Sequence, residues 1–261
     1  MEYKNIAGVP DFISEEYAPK KTKYCLLIPI INESGRIEKE LSRAAVSGAD
    51  KLADIIICDG GSSDGCTGAL ESMGVNTLLT KTGPGKQGAQ LRMGLWWALE
   101  RGYDGFITVD GNNKDSIEDV PNFIKKLDAG FDFVQGSRFI EGGRAVNTPP
   151  ARLLAVKLIH APVISLTAKK RFTDTTNAFR AYSKKYIEHP KVRPFRDIFM
   201  TYELLAYLSV KASRLGLAVC EIPVVREYPK QGKTPTKIKG IGGNGQLLKI
   251  LFANARGKYD V

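Results

Sequence analysis

From residue 24 to residue 135 the chain alternates short apolar runs with segments of helical spacing. Residues 24–31 (YCLLIPII) are a continuous apolar run, which predicts a buried strand. Residues 54–58 (DIIIC), 75–79, 105–109 and 131–135 repeat that pattern. Between them lie helical segments: from Ser34 through Ala45, over residues 67–73, and after the turn at 83–88, where Leu91, Leu95, Ala98 and Leu99 share a face. Ser116, with Asp119 three residues on, predicts the start of another helix that runs to about Asp128. Strands and helices alternating across short connections predict an α/β fold with a mostly parallel central sheet flanked by helices. In such sheets ligands bind beyond the carboxyl ends of the strands. Polar clusters fall there, at residues 32–33, at Asp59, at 83–88 and at 110–115.

The rhythm changes after residue 135. Residues 152–168 (RLLAVKLIHAPVISLTA) are apolar but interrupted by Lys157, His160 and Pro162. They predict either a core helix broken at the proline or a helix pair lying on a bilayer, where Arg152 and Lys169, Lys170 and Arg171 meet lipid phosphates. Residues 202–215 read as a helix, 218–225 as a strand, 232–245 as a Gly/Lys-rich loop and 246–255 as a closing helix. Residues 1–22, polar and with two prolines, read as an N-terminal arm or loop. They contain no apolar signal core, and no transmembrane helix is expected.

Charge alters this picture. The 261 residues carry a formal net charge of +10, unevenly spread. Residues 1–135 hold 15 basic and 20 acidic side chains, a net of −5; residues 136–261 hold 23 and 8, a net of +15. The second half is therefore suited to an anionic partner. A chain this long, 43% hydrophobic, can bury a full core, which excludes a disordered tail or a disulfide miniprotein. Cys25, Cys58, Cys66 and Cys220 form no CxxC pair and have no metal-ligand spacing with His160 and His189, which points to a reducing compartment.

Three segments could carry chemistry. GPGKQG at 83–88 matches GxGxxG, but it follows the third strand, whereas a dinucleotide fold places that fingerprint in its first βα unit. A turn presenting backbone amides and Lys86 to an anion accounts for it better. In DGGSSDG (59–65), Asp59 can accept hydrogen bonds from a base or ribose, and Asp64 can cap the next helix. In DGNNKD (110–115), clustered oxygens after a buried strand suit Mg²⁺ or Mn²⁺ holding a pyrophosphate, or form a turn and cap.

Taken in order, IPIINE (28–33), DGGSSDG (59–65), GKQGAQLRMG (85–94), VDGNNKD (109–115), GSRF (136–139) and TDTTNAFRAYS (173–183) resemble family 2 glycosyltransferases of the GT-A fold. Among these the chain is most similar to dolichyl- and polyprenyl-phosphate sugar transferases of the dolichol-phosphate mannose synthase type. The resemblance covers about residues 22–240. It implies one GT-A domain over 23–261, with a nucleotide-sugar half at 23–135 and an acceptor half at 136–261. It places Pro29, Asn32 and Glu33 in the nucleotide pocket, Asp59 against the base, and Lys86 and Arg92 in a stretch closing over the donor. Asp110 and Asn112 fall on the metal motif, implying Mg²⁺ or Mn²⁺. Arg138 and Arg144 match arginines that hold the acceptor phosphate. Asp174, Asn177, Phe179 and Arg180 match a segment near the reacting centre, and Arg180 is expected among the residues that bind the acceptor phosphate. Arg226, Gly232 and Lys233, with Lys237, fall on a basic acceptor loop. Asp110, Asp174 and Arg138 are then the expected catalytic residues.

The chain departs from this pattern at three places. Asn112 stands for the second Asp of the metal motif, Lys114 for a following Gln, and Ala178 for a Gly. Asn can ligate a hard cation through its carbonyl, whereas a protonated Lys cannot. Either Asp110 and Asn112 hold the metal weakly or Lys114 replaces part of its charge. The implied reaction is inverting transfer of a sugar from a nucleotide sugar to an anionic acceptor, a polyprenyl phosphate at the cytoplasmic membrane face. A lipid phosphate is already ionised and needs no strong base; a saccharide hydroxyl, the alternative acceptor, needs one, and Asp174 and Glu203 are available. The protein would be peripheral to the membrane or recruited by a partner subunit. Two rivals are a basic nucleic-acid-binding protein, for which no recognition signature is found, and a nucleotide-binding pseudo-enzyme.

Overall fold

The computed structural model describes residues 1–230 and 240–260. Its first strands come from the segment expected to be an arm. Glu2–Tyr3 (β1) pairs with Phe12–Glu16 (β2), and β2 runs antiparallel to Thr77–Lys81. Only Phe12 and Ser14 of β2 face inward, so its pattern is that of a half-buried strand near the sheet edge.

Then follow Tyr24–Ile30 (β3), Ile37–Ser47 (α1), Ala49–Leu52 (α2), Asp54–Asp59 (β4), Thr77–Lys81 (β5), Gln87–Glu100 (α3), Gly105–Thr108 (β6), Val120–Asp128 (α4) and Phe133–Ser137 (β7). The helix expected over 67–73 is reduced to one tight turn, Glu71–Met73. Beyond β7 come Arg144–Val146 (β8), Pro150–Ala155 (α5), a π-helical turn at Val156–His160, Ala161–Ala168 (α6), Arg180–Ser183 (β9), Lys184–Ile187 (α7) and Glu203–Arg214 (α8). Val219–Pro223 (β10), Val225–Glu227 (β11) and Gly240–Ala255 (α9) complete the described elements.

The main sheet has the order β1-β2-β5-β4-β3-β6-β9-β7-β10. Among the described strands of this sheet, only β2 and β9 run against the rest, so it is mostly parallel. Both faces of its middle are covered. In β3, Cys25 and Leu27 join one apolar cluster while Leu26, Ile28 and Ile30 join the other. Double-sided burial is why β3 and β4 read as unbroken apolar runs. A second, two-stranded sheet pairs β8 with β11 in parallel, and an isolated bridge joins Asp115 to Arg226. This small sheet ties the loop after β6 to the basic half of the chain.

Pro162 does not break the 150–168 segment: α5, the π-helical turn and α6 follow one another directly. This run is long and apolar enough to cross a membrane by length and composition, although none was expected from the sequence. It is largely uncovered, with Leu154 58%, Leu158 69% and Leu166 79% exposed.

Candidate active site

The crevice opens where β3 and β4 end. Gln90, buried on α3, donates both amide hydrogens, to the carbonyls of Ile30 and Cys58, each at 2.7 Å. The Gly60 amide also bonds Ile30 O, at 2.9 Å. Beyond that brace the two chains exchange side-chain bonds. Asn32, at φ 50°, accepts from Ser63 N at 2.8 Å, and its own amide bonds Ser62 Oγ at 2.9 Å. Asp59 accepts from Gly61 N, Ser62 N and Ser62 Oγ. Both its oxygens are thus used in shaping the loop, and it is 2% exposed, which differs from the expected direct contact with a base. Asp64 bonds Ser34 N and Cys66 N, so it joins the two loops rather than capping a helix. Pro29 is half-buried inside β3, and Glu33 is buried and bonded by Arg36.

The loop after β6 forms the floor. Gly111 packs so closely on β3 that an added Cβ would lie 2.4 Å from Ile30 Cγ2 and 3.0 Å from Ile28 Cγ2. Only glycine fits between Asp110 and Asn112. Asp110 accepts from Gln87 Nε2 at 2.9 Å and Arg226 Nη2 at 3.0 Å. Burial works to raise its carboxyl, but Arg226 and Lys114 outweigh that and hold it below its ordinary value. Arg226, 6% exposed, also pairs with the fully buried Asp115. Burial, reinforced by Arg226, lowers the Lys114 ammonium to about 8, against the pull of Asp110 and Asp115. Asn113, at φ 56°, is fixed by Glu40, whose carboxylate accepts its amide at 2.8 Å, and by Arg43. Asn112 Oδ1, Asp115 Oδ1, Thr175 Oγ1 and Asn177 Nδ2 are buried and without a hydrogen-bond partner. Buried polar atoms are normally satisfied, and Asn112, Asp115 and Asn177 all bond Asp110 or Arg226, so these three mark a place for a polar ligand.

Behind the floor lies a block of buried ion pairs. Arg138 grips Asp174 in a two-pronged bond, 2.6 Å from Nε and 2.9 Å from Nη2, and both are almost fully buried. Glu221 closes the next layer by accepting from Thr173 N and Asp174 N. Three expected roles meet a different arrangement. Asp174, 0% exposed and fully engaged, is not placed as a free base. Arg180, expected at the acceptor, points into the core and bonds Asn177 O, Leu205 O, Ser209 Oγ and Thr175 O. Arg92, expected over the donor, is 1% exposed and bonds Gly8 O, Phe199 O and Asp197. In both arginines the guanidinium ties separate segments together, so its donors are spent inside the protein.

Of the remaining expected residues, Lys86 is exposed at the start of α3, Arg144 is exposed on β8, and Lys233 lies outside the described residues. Glu203, the other candidate base, accepts from Thr201 N and Thr201 Oγ1 at the start of α8. Sequence reasoning missed Gln87, Gln90, Asp115 and Tyr228. A glutamine on an otherwise apolar helix face was the available signal for Gln90.

No protein-family model matches the sequence. Individual proteins do. The chain is 26% identical over 249 residues to polyprenol monophosphomannose synthase of Mycolicibacterium smegmatis, covering 90% of this chain and 88% of that one. It is 28% identical over 206 residues to undecaprenyl-phosphate mannosyltransferase of Micrococcus luteus, covering 76% and 81%. In structure it resembles glucosyl-3-phosphoglycerate synthase of Mycobacterium tuberculosis in complex with Mn²⁺, UDP and phosphoglyceric acid. That match has a TM-score of 0.62 at 17% identity and covers 89% of this chain and 78% of that one. The chain is a glycosyltransferase of the GT-A fold. In this glycosyltransferase the floor formed by Asp110, Asp115 and Arg226 joins the loop after β6 to the basic half of the chain.

Proposed function

We propose that the protein transfers a sugar, with inversion, from a nucleoside-diphosphate sugar to a polyprenyl phosphate at a membrane surface. One observation carries this reading: the buried, unpartnered polar atoms of Asn112, Asp115 and Asn177 belong to residues that bond the Asp110–Arg226 pair. The curated relatives are named for transfer to polyprenyl phosphates, and mannose is the sugar named in both.

The residues fit a divalent cation. Asp110 supplies a carboxylate and Asn112 an unpartnered carbonyl oxygen, which are the hard donors such ions take. Among the described residues no cluster of three or more acidic, His or Cys ligands occurs, so further oxygens would come from the donor's phosphates. A bound ion would neutralise charge on the leaving diphosphate. Arg226 and Lys114 add fixed positive charge at the same place. In the reaction a phosphate oxygen of the acceptor bonds to the anomeric carbon as its bond to the nucleoside diphosphate breaks. The attacking oxygen carries no proton, so no base is required. The engagement of both Asp174 and Glu203 in internal hydrogen bonds supports an ionised acceptor over a sugar hydroxyl.

The acceptor side is the run from Pro150 to Ala168, whose exposed leucines suit an interfacial position. Below it an open cavity of about 380 Å³ lies between Phe139, Lys157, Pro162, Arg171 and Phe172, suited to a phosphate with an apolar tail. We place the protein at the cytoplasmic face of a membrane, as a peripheral protein.

The test is transfer from labelled GDP-mannose and UDP-glucose to vesicles carrying polyprenyl phosphate, with Mg²⁺, Mn²⁺ or a chelator. Label extracted into organic solvent, and lost with the chelator, is the expected result. Label appearing only on a water-soluble phosphate such as phosphoglycerate, or on nothing, overturns the lipid acceptor.

A further inference from the structure

Tyr228 follows directly on β11 and is 2% exposed. Its backbone is pinned to the end of β8: its amide bonds Val146 O at 3.0 Å, and its carbonyl accepts from Asn147 Nδ2 at 3.1 Å. Three cations from three segments converge on its ring. Lys114 Nζ, from the loop after β6, lies 5.0 Å from the ring centre. Arg152 Cζ, from α5, lies at 5.8 Å, and Arg226 Cζ, from β11 itself, at 5.9 Å. The phenol oxygen also accepts from Arg152 Nη1 at 2.8 Å.

Three positive charges this close repel one another, and something must hold them. Among the described residues Asp110 and Asp115 pair with Arg226, and Lys114 and Arg152 bring two further positive charges to the same ring. A tyrosine answers the remaining repulsion in two ways: its ring face attracts cations, and its oxygen accepts a charged hydrogen bond. The phenol registers the field. Burial works to raise it, yet Arg226, Arg152 and Lys114 outweigh that and hold it below its ordinary value. Leucine at this position would do neither job, and phenylalanine only the first.

We propose that Tyr228 is a positioning residue that holds Lys114, Arg226 and Arg152 as one array for two phosphate groups, and that its hydroxyl aims Arg152 at the acceptor. Lys114 and Arg226 stand beside Asp110, at the donor's diphosphate. Arg152 stands at the start of the exposed helical run, on the acceptor side. The inference rests on the proposed lipid-phosphate transfer and assigns the link between its two substrates to one side chain.

The test uses the full chain and three proteins: wild type, Tyr228→Phe and Tyr228→Leu. Steady-state transfer is measured while the polyprenyl phosphate in vesicles and the sugar nucleotide are varied separately, with thermal melting in parallel. Tyr228→Phe keeps the ring and loses the bond to Arg152, so the acceptor KM rises about tenfold. Its donor KM and melting temperature stay at the wild-type values. Tyr228→Leu raises both KM values. An unchanged acceptor KM in Tyr228→Phe overturns the proposal, as does an equal rise of both KM values together with a lower melting temperature. If the wild type moves no sugar to lipid phosphate, the functional reading fails separately, and calorimetric binding of inorganic pyrophosphate reads the array alone. Weaker pyrophosphate binding by Tyr228→Leu than by wild type supports the array; equal binding overturns it.

Discussion

At the ends of β3 and β4 the bonding is done by backbone amides and short side chains: Asn32 with Ser62 and Ser63, Asp59 with Gly61, Gln90 with two carbonyls. On the other side, from Arg138 to Tyr228, the same task falls to long cations and buried carboxylates: Arg138 with Asp174, Arg226 with Asp110 and Asp115. The first construction is built mostly of neutral donors and acceptors. The second stores charge that an anion can join. The uneven charge of the chain, −5 against +15, thus contains two populations of arginine. One, exemplified by Arg92 and Arg180, is consumed inside the fold. The other, Arg226 and Arg152, gathers around the ring of Tyr228.

The comparison can be broken most severely at Asp110, which belongs to both sides. Asp110→Ala should lower transfer by about a hundredfold or more, because the proposed diphosphate site loses its carboxylate. Far-ultraviolet circular dichroism should show the fold retained; a variant that still transfers at more than a tenth of the wild-type rate would remove Asp110 from the chemistry. Next in size is the buried pair behind the floor. Asp174→Asn leaves Arg138 without its counter-charge and should cost about 3–5 kcal/mol of stability, read by urea unfolding. Restoring apolar complementarity with Arg138→Met and Asp174→Leu together should regain much of that loss without restoring activity. An Asp174→Asn protein as stable as wild type but inactive would instead make Asp174 a chemical group.

The exposed helical run predicts a smaller effect. Leu158→Asp and Leu166→Asp remove side chains that make little contact within the fold, so melting should be nearly unchanged. Sedimentation with anionic vesicles should fall by about tenfold or more per leucine. Equal binding by the variants would place the membrane contact elsewhere. The smallest effect concerns His160, in the π-helical turn. Burial holds its imidazole below the ordinary value of 6.5, so the unfolded chain takes up the proton first. Its contribution to stability is full above 6.5 and is lost as the pH falls from there toward the folded value. His160→Asn should therefore melt with a shallower pH dependence than wild type between pH 7.5 and 5.5; parallel curves would contradict this.

The legibility of the sequence follows the same division. β3, β4 and β6 are largely apolar and buried on both sides, which makes them visible without neighbours, and β5 and β7 show through the apolar pairs Leu78–Leu79 and Phe133–Val134. β2, β8, β9 and β11 are three to five residues long and partly polar, and they exist because distant strands pair with them. For the site, Asp110 and Asn112 are visible because oxygen-rich residues crowd after a buried strand. Arg92 and Arg180 are misread for a physical reason. A guanidinium presents the same composition whether it meets a ligand or, as in Arg180, three backbone carbonyls and a hydroxyl, and only the fold decides which. Asp59 illustrates the same limit in a carboxylate, whose partners turn out to be its own loop.

Gln90 has a consequence for how the helix and the sheet are joined. Its amide takes the carbonyls of Ile30, the last residue of β3, and Cys58, the last but one of β4. Ile30 O also accepts from Gly60 N, so the side chain reinforces a rung that the backbone already makes. One side chain thus rivets two adjacent strands to α3, and the spacing between helix and strand ends is set by the length of one glutamine.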